Sequence, residues 1–327
     1  MIVVFFMTPP LEITDRPFEG DADWQRVRQL LIETRRLVPT GWNWEIRRWH
    51  GGRFHIAGGA IPPEWRTRIH LWEDAGGRLV GVAHPEGRGD VHLQLHPDYR
   101  ALQPSMFAWA EEALPIPDSD GASQSVVTFV FDYDTPRRRL LQERGWAQQS
   151  WGGVTRRLRF GGWRLPAPNL DPGYKLRTIR AGDAEDCQRL ADLLNAAFNR
   201  TIHTAEDYMT FSTLAPSYRA DLDLLAVAPD GAFAAFVGVT FDGDNRLGIY
   251  EPVCTHPAHR RHGLARSLMF EGLHRLKALG ALDAVVDTGD DPAANALYES
   301  VGFSETYHGT GWKFTRSPSL HFPESLA

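Results

Sequence analysis

Residues 253 to 265 read Val-Cys-Thr-His-Pro-Ala-His-Arg-Arg-His-Gly-Leu-Ala, an order suited to capturing a multiply charged anion. A β-branched strand end runs into a turn at His256-Pro257, and Arg260-x-x-Gly263-x-Ala265 then opens a long helical pattern. A helix start leaves several backbone N–H groups without intrahelical acceptors and carries the positive end of the helix dipole. Glycine at that point lets a ligand approach the backbone, and neighbouring arginines add charge-assisted bonds. Strand, tight turn and open helix start together make a pyrophosphate cradle.

A second cluster follows in Asn295-Ala-Leu-Tyr298-Glu-Ser-Val-Gly302-Phe303. Pro292 suits the first turn of a helix and Gly302 a left-handed C-cap. Asn295 and Tyr298 are three residues apart, so they share a helix face. An amide able to hold a polar chain and a phenol able to give a proton would point the same way.

With both clusters in view, the chain resembles the GCN5-related N-acetyltransferase (GNAT) superfamily. Arg260-x-x-Gly263-x-Ala265 matches its acyl-CoA pyrophosphate motif, and Asn295-x-x-Tyr298-x-x-x-Gly302-Phe303 matches its second CoA motif. The resemblance covers residues 174–316 well and the first half of the chain in outline, in a layout similar to tandem-domain members such as the mycothiol synthases. It implies acetyl-CoA as cosubstrate and no metal. The backbone of Val253, Cys254 and Thr255 would pair with the pantetheine arm as an added strand. The backbone from Arg260 through Arg261, His262, Gly263 and Leu264 to Ala265 would hold the pyrophosphate, with Arg260, Arg261 and Arg266 supplying charge. Asn295 would bond the pantetheine, and Tyr298 would protonate the departing thiolate; an unperturbed phenol, with a pKa of about 10, stays protonated at neutral pH. Glu251, near the strand end, is the expected base for the acceptor amine, with Asp242, Asp244 and Asp287 as weaker alternatives. His256, His259 and His262 recur every third residue, but a turn leading into a helix splays them, and no metal centre is expected there. Cys254 reads as a small buried hydrophobe rather than a nucleophile.

These residues need a scaffold, and the chain repeats one. Leu79-Val-Gly-Val82 answers Phe236-Val-Gly-Val239 at a spacing of 157, His96-Pro97 answers His256-Pro257 at 160, and Gly145-Trp146 answers Gly302-Phe303 at 157. Three matches in one order indicate duplicated domains. Each copy begins with an amphipathic helix, Val27, Leu30 and Leu31 facing inward in the first, and Cys187, Leu190, Ala191, Leu194 and Phe198 in the second, where Asp183 suits the N-cap. Hairpin turns are expected at Gly76-Gly77, Asp230-Gly231 and Asp242-Gly243. The strand into His-Pro is read at Val91–Leu95 and Leu247–Thr255. A helix follows at Pro104–Leu114 and Gly263–Leu279, then a buried strand at Val126–Phe131 and Asp283–Asp287. The closing strand is read at Gln148–Leu158 and Glu305–Thr315. The expected fold class is α/β (α+β): two tandem GNAT-like domains, each a mixed, mostly antiparallel sheet flanked by helices. Domain one spans 1–160, a Pro/Gly-rich linker 161–173, and the catalytic domain 174–327.

The first copy departs where chemistry is needed. Gly263 maps to Gln103, Ala265 to Ser105, Asn295 to Arg138 and Tyr298 to Leu141, while Pro104 removes a backbone N–H from the turn. This copy reads as non-catalytic, with a structural or substrate-shaping role.

A length of 327 residues suits two domains, and 43% hydrophobic residues with 11 Trp and 17 Phe suit a packed core. The net charge of −6 argues against nucleic-acid binding, which needs a basic face. Two cysteines, Cys187 in a helix pattern and Cys254 in a strand, suit a reducing cytoplasm. The apolar start Met1–Met7 lacks a basic leader and meets Pro9-Pro10, so it reads as an edge strand or ill-defined start rather than a signal or a membrane span. The expected function is transfer of an acetyl or small acyl group from acyl-CoA to a small primary amine by direct attack, with no nucleic-acid or membrane partner. The protein would be a monomer with pseudo-dimer arrangement, or a homodimer. The alternatives are a non-catalytic acyl-CoA-binding regulatory module and a protein-lysine acetyltransferase. Acceptor choice would lie in segments such as Asn199–Ala220.

Overall fold

The computed structural model describes residues 12–119, 121, 123–162 and 164–316; Met1–Met7 lie outside them. The first half runs β1 (Ile13–Pro17), α1 (Asp21–Thr34), α2 (Ile46–Phe54), α3 (Trp65–Arg68), β2 (His70–Asp74), β3 (Leu79–His84), β4 (His92–Leu95), α4 (Gln103–Ala113), β5 (Ile116–Pro117), β6 (Gln124–Phe131), α5 (Thr135–Glu143) and β7 (Ala147–Arg159). The second half repeats the plan: β8 (Lys175–Thr178), α6 (Ala184–Phe198), α7 (Ala205–Leu214), β9 (Asp223–Val227), β10 (Phe233–Asp242), β11 (Leu247–Thr255), α8 (Leu264–Ala278), β12 (Asp283–Gly289), α9 (Pro292–Val301) and β13 (Glu305–Arg316). Among these helices none is long and apolar enough to cross a membrane.

Local chemistry accounts for most boundaries. Asp183 caps α6 by accepting from the Asp186 N–H, and the stripe Cys187, Leu190 and Leu194 packs with Phe236 and Cys254. Phe198, expected on that stripe, is 38% exposed instead: Asn199 turns left-handed and ends the helix there, leaving the ring under the Arg200 guanidinium. The three expected hairpins join β2 to β3, β9 to β10 and β10 to β11.

The sheets are mixed and mostly antiparallel. Strands β1-β2-β3-β4 form one sheet, and β5-β6-β13-β7-β12-β11-β10-β9-β8 form the other. The parallel contacts fall at equivalent places: β11 beside β12, and a single bridge from Asp90, just before β4, to Val127 of β6.

The division at 161–173 is one of sequence and not of sheet pairing. β7, the closing strand of the first half, lies against β12 of the second, while β13 lies against β6 of the first. The two closing strands also pair with each other around Gly153 and Gly309. Because β7 and β13 are repeat equivalents, this is the self-complementary contact of a two-fold dimer, built within one chain. The cores merge as well: Trp24, Leu31 and Val82 pack in one cluster with Phe211, Leu247, Ile249 and Val285.

Candidate active site between the two halves

β11 and β12 pair only from Leu247–Tyr250 against Asp283–Val286, and then diverge. On its other side β11 stays bonded to β10 as far as Thr255 against Ala235. Residues 251–255 therefore keep one backbone edge open, which is what an added extended chain requires. Val253 and Thr255 are half-buried there, while Cys254 turns its side chain into the core. Burial pushes the Cys254 thiol up to about 12, so it is no ready nucleophile.

The strand ends in a turn capped by His256, whose Nδ1 accepts from the Ala258 N–H at 3.2 Å. Arg260 is extended, Arg261 has φ 71°, and Gly263 has φ 66° directly before α8. Left-handed residues interleaved with ordinary ones turn successive N–H groups inward, the arrangement of an anion-binding nest. Among the described residues nothing accepts from the N–H groups of residues 260–266; the first return bond runs from Ser267 N–H to the Gly263 carbonyl. A side chain at 263 would cost about 1–2 kcal/mol in that conformation. Arg261, His262 and Arg266 are exposed, Ala265 is half-buried, and Leu264 anchors the turn in the core. Arg260 donates to the Ala197 carbonyl at 3.1 Å, and His262 meets Asp171 at 2.8 Å, while His259 meets the Tyr174 hydroxyl at 3.1 Å. The three histidines thus face three different partners.

In α9, Asp291 caps the start by accepting from Ala293 and Ala294, and Gly302 ends it with φ 111°. Tyr298 is 6% exposed, and its hydroxyl has no partner among the described residues yet keeps contact with solvent. Burial, reinforced by Asp287 and Asp291, pushes the phenol up to about 12. The Asn295 amide nitrogen donates to the carbonyls of Gly289 and Asp291, and its oxygen accepts from Arg156 Nε at 2.8 Å. Through these bonds Asn295 ties the end of β12 to the start of α9. Arg156 also donates to the Phe303 carbonyl at 3.2 Å, so a residue of the exchanged strand β7 fixes both ends of α9.

A cavity of about 550 Å³ opens where β11 and β12 part, and both halves line it. Glu251 and Asp287 flank the split, and Glu45, the N-cap of α2, faces them from the first half. Burial, and then the Glu251 and Asp287 charges, push Glu45 up to about 8; Arg48 opposes the rise. Burial raises Asp287 too, against a hydrogen bond from Thr155. Of the other acids considered, Asp242 is buried and bonded to Asn245, and neither it nor Asp244 lines the cavity. The segment Asn199–Ala220, expected to shape acceptor choice, packs α7 against α2 instead and does not reach the cavity. Sequence reading missed Glu45, Arg156 and Thr155, since nothing local marks them.

The acetyltransferase (GNAT) family profile matches residues 187–303. A GCN5-related N-acetyltransferase from Sphaerobacter thermophilus superposes with TM-score 0.64 at 18% identity, covering 94% of this chain and 96% of that one. Residues 187–303 thus carry a GNAT-family domain, and the chain as a whole has the fold of tandem GNAT proteins. A tandem GNAT protein from the clavulanic acid biosynthesis pathway is similar over 94% of this chain and all of its own, with TM-score 0.66 and 18% identity. The glucosamine N-acetyltransferase region of a fungal multi-domain β-N-acetylglucosaminidase matches with TM-score 0.56 at 15% identity, over 93% of this chain and 38% of that one. No curated protein sequence matches significantly.

The equivalent site in the first GNAT-like half is filled by the protein's own groups. His96 caps its turn as His256 does, accepting from the Asp98 N–H at 3.3 Å. From there the chain runs through Pro97–Leu102 into α4 with no left-handed residue. Buried Gln103 stands where Gly263 would, its carbonyl turned to Arg137 at 2.8 Å. Asp134, the cap equivalent to Asp291, holds Arg100 and the Trp42 indole.

Proposed function

We propose that this chain moves an acetyl or small acyl group from acyl-CoA to a primary amine by direct attack, using one site in the C-terminal half. The observation that carries the reading is the set of unaccepted N–H groups at residues 260–266 at the end of an open strand edge. Acyl-CoA fits these residues: the edge at Val253–Thr255 for the pantetheine amides, the nest for the pyrophosphate, and Arg261 and Arg266 for its charge. When bound it supplies an activated acyl thioester. As the amine nitrogen bonds to the acyl carbon, the carbon–sulfur bond breaks. Glu251 takes the proton released from nitrogen, directly or through a water. Tyr298 stays protonated through the neutral range and donates a hydrogen bond to the sulfur as charge builds there. A phenol near 12 is a weaker acid than a free thiol of about 8.5, so stabilising the sulfur comes before full proton transfer.

A cavity of about 550 Å³ lined by both halves supports a small acceptor over a protein lysine. The free buried thiols Cys187 and Cys254 suit a reducing cytoplasm, and the pseudo-dimer pairing of the halves suits a monomer. Incubation with acetyl-CoA and a set of primary amines, following CoA release and acetylated product by mass spectrometry, tests the reading. A thioester that survives every amine would make the chain a binding module instead.

A further inference from the structure

We propose that the cavity between the halves is a binding site for a primary amine carried on a flat apolar body, an arylalkylamine, and that the N-terminal half supplies its aromatic wall and one of the carboxylates that hold the ammonium. Its use as the acceptor site rests on the acyl-transfer reading; its ligand chemistry stands on the lining alone.

Charge comes first. Glu45, Glu86, Asp90, Glu251 and Asp287 line the cavity against Arg35, Arg48 and Arg137. Two of the guanidiniums are already committed, Arg48 to Glu86 and Arg137 to Asp134. That leaves Arg35 against Glu45, Glu251 and Asp287, three acids from three elements; burial, and then the Glu251 and Asp287 charges, lift Glu45 to about 8. Like charges gathered in a cavity are relieved by a cation, and an ammonium carries the charge and the donors these acids lack.

The remaining wall narrows the cation's body. Phe129 and Trp151 stack at 6.3 Å and 23°, and Phe131 meets Phe129 edge-on at 5.2 Å. The first two lie flat across the sheet because Gly309 and Gly311 sit beneath them, where any Cβ would collide with the Phe129 and Trp151 rings. Trp151 is 45% exposed, a large apolar surface turned to open space at the cavity. Trp44, with the Arg48 guanidinium over its ring, adds to the wall from the α1–α2 loop. Ring faces suit a planar apolar group, whereas a linear polyamine needs carboxylates along its length and an amino sugar needs polar partners around its ring. The volume lies within the range of small-molecule sites, about 300–1,000 Å³.

Calorimetry on the full chain without acetyl-CoA tests the site separately from the reaction, using 2-phenylethylamine, spermidine and glucosamine. We expect 2-phenylethylamine to bind at least tenfold more tightly than the other two. Glu45→Gln and Trp151→Ala should each weaken it tenfold or more, with acetyl-CoA affinity within twofold of wild type. Tighter binding of spermidine or glucosamine, no binding by any of the three, or indifference to both substitutions would overturn the proposal. If 2-phenylethylamine binds as expected but no acetylated product forms, the transfer reading fails while the site stands.

Discussion

The turns after His96 and His256 begin alike and end differently. Both histidines cap a short 3-10 turn with Nδ1, and both turns lead into a helix against the same kind of sheet. After His256 the backbone goes left-handed at Arg261 and Gly263, and its N–H groups turn into the nest with nothing to accept from them among the described residues. After His96 it coils straight into α4, and Gln103, Arg137, Asp134 and Arg100 satisfy one another. The lesson is that an anion site is defined by what the protein leaves unsatisfied. In the first half the corresponding groups complete one another's hydrogen bonding.

Substitutions can break that comparison at its sharpest point. Gly263→Val puts a β-branched residue at φ 66° in the nest and should weaken acetyl-CoA binding roughly a hundredfold or more by calorimetry. The reciprocal Gln103→Gly should leave stoichiometry at one acetyl-CoA per chain. A second bound equivalent would mean that one glycine alone separates the halves.

Tyr298→Phe should lower kcat on the order of a hundredfold, with the acetyl-CoA Kd changed less than about threefold. Leu141→Tyr, at the equivalent position, should add no turnover.

The exchanged strands offer a finer contrast. Arg156 on β7 braces Asn295 and the Phe303 carbonyl, whereas its repeat equivalent on β13, Lys313, only pairs with Asp118 at 2.9 Å. Arg156→Ala should lower kcat about tenfold through misplacement of Tyr298. Lys313→Ala should leave kcat unchanged and lower the melting temperature only slightly.

Acidity tests what the first half lends to the second. Glu45 titrates near 8 in the folded chain, under the influence of Glu251, Asp287, Arg48 and Arg35, against a usual carboxyl value near 4.5. Its folded form holds the proton more tightly, so its effect on stability is unfavourable as pH rises from about 4.5 to 8. Amine binding and turnover should rise several-fold between about pH 7 and 8.5 as the carboxylate forms. Glu45→Gln should flatten that rise and raise the melting temperature at pH 8.5. An unchanged pH profile in the variant would remove Glu45 from the site. Smallest of all, Cys254→Ala should leave kcat within about threefold, as expected of a buried thiol with no part in transfer.

Much of this was legible from spacing alone. The repeat, the hairpins, the capping Asp183 and the glycines at 263 and 302 are local signals, and local backbone preferences honoured them. The exchange of β7 and β13 was not legible, because both strands carry the pattern of a closing strand and nothing in either says which half it closes. The same limit hid Arg156, which acts on residues 139 and 147 positions away. Glu45 was hidden differently: as a helix cap it has an ordinary local reason to be acidic, and only the fold turns it toward Glu251 and Asp287. Asn295 shows what a motif leaves out: its position suggested a ligand contact, and nothing local told that its amide also holds the Gly289 and Asp291 carbonyls.

The crossed closing strands also bear on how the chain came to have one cradle of two. A duplicate whose last strand completes its neighbour's sheet cannot be deleted without unravelling that neighbour. It is free to lose its glycine and its tyrosine counterpart, but not its strands. Proteolytic nicking at 161–173 should therefore leave two fragments that stay together under native conditions, each still threaded through the other's sheet.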